Sequence, residues 1–493
     1  MVRKFLRILS LTFACTLLGV VNRLESVEAQ AQACDPTKCL PPKCFCPSVN
    51  PPGGLTVDKV PQFFLLTFDD SVQNSTFTVA NQLIGKRKNP NGCPIKATYY
   101  VSIQYTDFEM VTQWYAAGNE VADHTMTHPQ DPFDDEIIGC KKALNAFAGI
   151  PNGKISGWRS PFLNWQPKTF DIIAQQGITY DSSTTAMIDD ATWPYTMDYG
   201  LYNDCWKGFC NTTIHPGLFE IPMAAIIDDK NTPHLMDPYL DGPTDTVKGW
   251  LQSNFQRHAT QGKTPFGLFL HPAHLYQIPG TPLVPNTPDP AQSLAMLEEF
   301  LDWALTQPDT WFVTSQQLLE WMKNPVPADQ LKTYAPFSCQ VPKVGKEICN
   351  GLDDNGNGQI DEGLVQSCNF NTVVWNTCYG CPSANPSLAD PVPTGGDRYR
   401  VPTTCDTAWW DPIANQCLCQ DANCAYTDLS KPAGVVGDNS TSSSNNNGGN
   451  AKDGQPGSNG NAKSGASSIT GLNIMILIPG FIMITSTFMQ WIF

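Results

Sequence analysis

Apolar residues along the chain fall into short runs separated by longer stretches of mixed polarity. FFLLTF at 63–68, ATYYVS at 97–102, GNEVADH at 118–124, GLFLH at 267–271 and TWFVT at 310–314 are short runs of strand length. Between them the spacing predicts helices, among them 107–117 and 290–307, where apolar residues recur at helical intervals. Alternation of this kind over residues 57–338 predicts an α/β fold, a barrel or a related layered sheet. No internal repeat interrupts it.

The flanks have different patterns. Residues 1–31 carry Arg3, Lys4 and Arg7 ahead of an apolar run and small residues near Ala29, the pattern of a secretory signal peptide. Residues 34–56 are Pro-rich with Cys34, Cys39, Cys44 and Cys46, too poor in apolar residues for a core of their own, and are expected to lace onto the main domain. Residues 339–425 are rich in Cys, Asn and Asp and read as a small disulfide-stapled module. Residues 426–468 form a Ser/Asn/Gly-rich linker. The apolar tail 469–493 has no basic residue after it and follows the small residues Ser464, Gly465 and Ala466. That order matches a glycosylphosphatidylinositol-anchor signal attached at Ser464 better than a membrane span.

Composition sharpens this picture. The 18 cysteines, 17 after the signal, suit an oxidising compartment and leave one thiol over. A formal charge of −16 argues against nucleic acid or an anionic lipid surface as the main partner. Sequons at Asn74, Asn211 and Asn439 are candidate glycosylation sites.

The candidate chemistry begins at Asp69 and Asp70, adjacent carboxylates ending an apolar strand. Alone, they could be a strand followed by a turn-capping Asp. His124 and His128 in HTMTH have the i, i+4 spacing of metal-binding imidazoles, on a helical turn or across a tight loop. One Asp and two His make a facial ligand set that leaves positions open. No Glu follows His124, so this is not the HExxH pattern, and a base must come from elsewhere. In the C-terminal region, DDNGNGQIDEG places Asp353, Asn355, Asn357, Gln359 and Asp361 like the oxygen ligands of a calcium loop. Its twelfth position is Leu364, so Glu362 or another group would have to complete it.

The ordered set TFDD (67–70), HTMTH (124–128), RSPF (159–162), Asp181 in TYDSS and LFLH (268–271) resembles the polysaccharide deacetylases, carbohydrate esterase family 4. PPKCFC, GKRKNPNGCPIKATYYVS and WPYT resemble its chitin deacetylase branch. The resemblance covers roughly residues 34–325 and implies a distorted (β/α) barrel of the NodB homology type. It also implies a divalent metal, most often Zn2+, on Asp70, His124 and His128. Asp69 would be the general base and His271 the general acid, in preference to His274 three residues on. Arg159 would orient Asp69, and Asp181 would favour charged His271. A backbone N–H near Phe162 would hold the oxyanion, and Trp193 would wall the pocket. The sequence departs from the pattern with Ser71-Val72 after TFDD, where Gly-Pro is common, and with Phe162 where Tyr is common.

The expected activity is hydrolysis of N-acetyl groups on chitin by a secreted, lipid-anchored enzyme at the cell surface. Alternatives are deacetylation of peptidoglycan or xylan, or a silent wall-binding surface protein.

Overall fold

The computed structural model describes residues 33–188, 191–203, 213–283, 287–339, 349, 351, 353 and 355–395, with backbone segments at 410–411 and 416–417. The signal peptide, Asn211, Asn439, the linker and the tail with Ser464 lie outside the described residues. Among the described residues no helix is long and apolar enough to cross a membrane.

Strand β1 (Gln62–Asp70) is the spine. Its run is apolar on both faces because it is covered on both, as parallel strands in α/β folds are. It pairs in parallel with β2 (Thr98–Val101), and the sheet continues through β3 (Glu120–Asp123), β4 (Gly157–Trp158) and β5 (Tyr180–Asp181). A small ladder joins β6 (Thr185–Ala186) to β9 (Met223–Ala224), and β7 (Tyr195–Met197) runs antiparallel to β8 (His215–Glu220) at the far edge. The hairpin of β10 (Ile226–Ile227) and β11 (Pro233–His234) precedes β12 (Phe266–Leu270) and β13 (Thr310–Phe312), which both pair in parallel with β1. The order β12-β1-β2-β3-β4-β5-β8-β7 is the wall of a distorted barrel whose hydrogen-bonded path stays open.

Helices alternate with these strands. They are α1 (Asn74–Ile84), α2 (Phe108–Ala116), α3 (Asp134–Ala148), α4 (Pro167–Gln175), α5 (Thr244–Thr260), α6 (Pro290–Leu305) and α7 (Ser315–Lys323). Asp107 caps α2, accepting from the N–H groups of Glu109 and Met110, and Asp289 caps α6.

Alternation along β1 divides the core. Phe64, Leu66 and Phe68 face the helices, where Phe64 stacks on Phe312 at 4.1 Å. Phe63 and Leu65 face the barrel interior with Tyr100, Ala122, Tyr180 and Phe219. Asp69 continues the interior row and Asp70 the opposite one, so neighbours in sequence enter different surroundings.

The N-terminal segment is held by Cys34–Cys46 and Cys39–Cys44 and inserts Phe45 into the interior cluster. Its backbone N–H bonds Thr196 Oγ1, and its carbonyl accepts from Thr196 N–H, both at 2.9 Å. Further disulfides are Cys93–Cys339, Cys349–Cys378 and Cys368–Cys381. Among the described residues Cys140 is a free thiol, buried, its pKa pushed up by burial and by nearby Asp123.

The C-terminal region packs as part of the same core. Hairpin β14 (Gln366–Phe370)–β15 (Val373–Thr377) sets Trp375 against Phe108 at 4.8 Å and Phe147 at 5.4 Å. Asn376 donates its backbone and side-chain N–H groups to Asp107, and Thr377 donates to Phe147 O. Gly149, the left-handed C-cap of α3 at φ +66°, lies under Tyr379, where a Cβ would meet the ring at 2.0 Å.

Candidate active site

Every element of the candidate site comes from the C-terminal end of a barrel strand, where strand ends and loops converge. Asp69 and Asp70 end β1, His124 follows β3, Arg159 follows β4, Asp181 ends β5 and His271 follows β12.

Asp70 turns out of its strand at φ +86°, its side chain 38% exposed. Its Oδ1 lies 3.2 Å from His128 Nε2 and 3.8 Å from His124 Nε2, and the three ligand atoms lie within 4.8 Å of one another. The two histidines meet across a tight loop, not on a helical turn: Thr125 and His128 are left-handed, at φ +77° and +58°. Asp123 accepts the Thr125 N–H and Thr125 Oγ1 accepts the His128 N–H, which holds this shape. His124 Nδ1 lies 2.7 Å from the Arg159 carbonyl, so Nδ1 carries the proton and Nε2 keeps its lone pair. Burial, then His128, push His124 down to about 3 and keep it neutral. One hard oxygen and two imidazole nitrogens, one in a fixed tautomer, fit a first-row divalent ion with open positions.

Asp69 points inward and is buried. Arg159 Nη1 donates to its Oδ1 at 2.8 Å and to Thr67 Oγ1 at 2.8 Å, while Nε and Nη2 bond Ser182. The guanidinium lies 4.0 Å over the Tyr100 ring. Burial opposes the Arg159 charge, and the Asp69 carboxylate more than restores it.

His271 stands on a different partner from the expected one. Its Nδ1 bonds Asp237 Oδ2 at 2.5 Å and its backbone N–H bonds Asp237 Oδ1 at 2.7 Å. Tyr239 OH also donates to Asp237 Oδ1, at 2.8 Å. Burial works against a charged His271, but Asp237 overrides it and lifts the imidazole to about 10. Asp181 instead accepts from Ser183 Oγ at 2.6 Å and Ser183 N–H at 3.1 Å, and Ser183 Oγ accepts the Ser160 N–H. It braces the Arg159–Ser160 loop, and the expected pairing with His271 is corrected to Asp237.

Phe162 is 39% exposed beside His128, ring centroids 4.7 Å apart, in a left-handed turn with Leu163. Trp193 lies in the interior core and not beside the metal cluster: at 2% exposure it packs against Phe63 and Trp321, with its backbone N–H bonded to Ser48 O and its indole N–H directed at Gly262 O. Aromatic character alone could not separate core from cleft there. Asn74 is exposed at the first position of α1.

In the acidic loop, Asp353 accepts three backbone N–H groups, from Gly356, Asn357 and Gly358. Asn355 and Asn357 donate side-chain amide hydrogens to Glu362 Oε1, and Gln359 N–H bonds Asn357 Oδ1. Asp361 is not gathered with them. It is fully buried and turned toward α2, its Oδ2 accepting the Gly351 N–H at 2.7 Å.

The polysaccharide deacetylase family profile matches residues 57–180. The chain is 33% identical over 403 residues to chitin deacetylase 8 of Bombyx mori, an alignment covering 78% of this chain and 99% of that protein. To chitin deacetylase 1 of Bombyx mori it is 30% identical over 409 residues, 75% and 70% of the two chains. The chain therefore belongs to the polysaccharide deacetylase family. Among solved structures, a family 4 carbohydrate esterase from Streptomyces lividans in complex with acetate is 17% identical. It covers 51% of this chain and 91% of that one, at a TM-score of 0.29, too low to bear on the fold.

Proposed function

We propose that this protein is a secreted, zinc-dependent chitin deacetylase, converting N-acetylglucosamine units of the polymer to glucosamine with release of acetate. The observation that carries the reading is the pair of opposed ion pairs flanking the Asp70–His124–His128 cluster. One offers a carboxylate to the cleft and the other an imidazolium. Amide hydrolysis needs both a base for water and an acid for the departing amine. The two Bombyx mori relatives, named as chitin deacetylases, supply the substrate class.

A divalent ion on Asp70, His124 and His128 would supply Lewis acidity, polarising the acetamide carbonyl and lowering the pKa of water. Asp69 takes the proton from water as its oxygen attacks the carbonyl carbon, with Arg159 holding the carboxylate in place. A backbone N–H in the Phe162 turn stabilises the oxyanion. His271, protonated at both nitrogens by virtue of Asp237, gives its Nε2 proton to the amine nitrogen as the carbon–nitrogen bond breaks. Free amine and acetate leave. The disulfides fit an oxidising extracellular setting, and the C-terminal tail is the proposed lipid-anchor signal.

The test is acetate release from chitin oligomers by the purified ectodomain, before and after chelation and after zinc is restored. Acetylated xylan and peptidoglycan strands run in parallel. Loss on chelation and recovery with zinc, greatest on chitin oligomers, is the expected result. Turnover that survives complete metal removal sinks the mechanism, and faster release from another polymer sinks the substrate.

A further inference from the structure

Helix α2 and the acidic loop meet at two buried carboxyl groups. Glu109, in the first turn of α2, is 6% exposed, and Asp361 is completely buried. Their ligand atoms lie within 4.8 Å, together with the sulfur of Cys378. That sulfur is bonded to Cys349 and offers no thiolate. Glu109 Oε1 takes one long hydrogen bond, 3.4 Å, from Gln113 Nε2, and Oε2 receives none. Burial, then Asp361 and more weakly Asp107, push the Glu109 carboxyl up.

A buried carboxylate oxygen with no donor is costly unless positive charge reaches it. Here the unsatisfied oxygen comes from the barrel, some 250 residues away in sequence from the loop it faces. Among the described residues the donors are hard oxygens and the nearby sulfur is locked in a disulfide, so the chemistry favours calcium over thiophilic metals. We propose that Glu109 and Asp361 hold a divalent cation of the calcium type, at the buried contact where Asp361 turns out of the loop toward helix α2. The ion fastens the region around residues 349–395 to the barrel where Trp375 and Asn376 already dock.

The test uses the full ectodomain with zinc kept saturating throughout, so that the catalytic cluster is not perturbed. Calcium is titrated against the melting temperature, and terbium emission sensitised by Tyr379 is competed with calcium. In the wild type, calcium at about 100 times its Kd is expected to raise Tm by on the order of 5 °C. Glu109→Gln and Asp361→Asn should each abolish the rise and the competed emission, while acetate release is unchanged in Glu109→Gln. Glu362→Gln should keep both signals. Three outcomes overturn the proposal: no rise in the wild type, a rise retained in Glu109→Gln, or loss confined to Glu362→Gln. The last would place the ion on the exposed face of the loop. Should Asp361→Asn fail to fold, Glu109→Gln with terbium decides alone.

Discussion

Asp69 with Arg159 and His271 with Asp237 are both ion pairs at strand ends, yet they are built with opposite polarity. In the first the carboxylate faces the cleft and the cation stands behind it, fixed by Thr67, Ser182 and the Tyr100 ring. In the second the cation faces the cleft and the carboxylate stands behind it, fixed by Tyr239 and a backbone N–H. The rear partner holds the front one in place in each case, and Asp237 also keeps His271 charged. A single barrel rim thus presents a base and an acid at the same pH.

The largest effect expected on this contrast comes from Asp69→Asn, which removes the base. Acetate release should fall by about 10²–10⁴-fold, with zinc content, read by metal analysis, unchanged. Arg159→Met takes the rear partner of the same pair and leaves Asp69 buried without its cation. Denaturant unfolding at pH 7 should show a loss of about 3–5 kcal/mol.

Asp237→Asn attacks the other pair and should be milder and dependent on pH. His271 acts as an acid only when protonated, and Asp237 raises its pKa to about 10, so its charge persists below that value and is lost above it. Without Asp237 the pKa should fall toward the ordinary 6.5, carrying the alkaline limb of kcat/KM down with it. Activity at pH 8 should then drop roughly 30-fold, and an unmoved limb would remove Asp237 from its place behind the acid. Asp181→Asn is the smallest change. Asp181 bonds Ser183 and not His271, so the alkaline limb should stay where it is.

Much of this was legible in the chain. The apolar runs at FFLLTF, ATYYVS, GLFLH and TWFVT are β1, β2, β12 and β13, and the helix at 107–117 is α2 with Asp107 as its cap. The rim residues were legible because strand ends carry them in fixed order. Asp237 was not, lying 34 residues before His271 in a stretch with no motif. It arrives beside β12 through the single bridge of Met236 to Phe269, with its own N–H on the Phe269 carbonyl. Pairing of that kind leaves no periodicity to read. The loop at 353–362 misled in a different way. Spacing assigned Asp361 to the same focus as Asn355 and Asn357, but its left-handed backbone, φ +50°, turns it inward and leaves Glu362 in that place.

Asp70, Thr125, His128, Phe162 and Leu163 all hold left-handed backbone angles around the cluster, and none is glycine. At about 1–2 kcal/mol each, they withdraw on the order of 5–10 kcal/mol from a fold whose net margin is of similar size. The cleft therefore draws on the surrounding barrel to hold its shape. A glycine at Thr125 would relieve one of these angles but remove the hydroxyl that accepts the His128 N–H, leaving the two histidines freer to part.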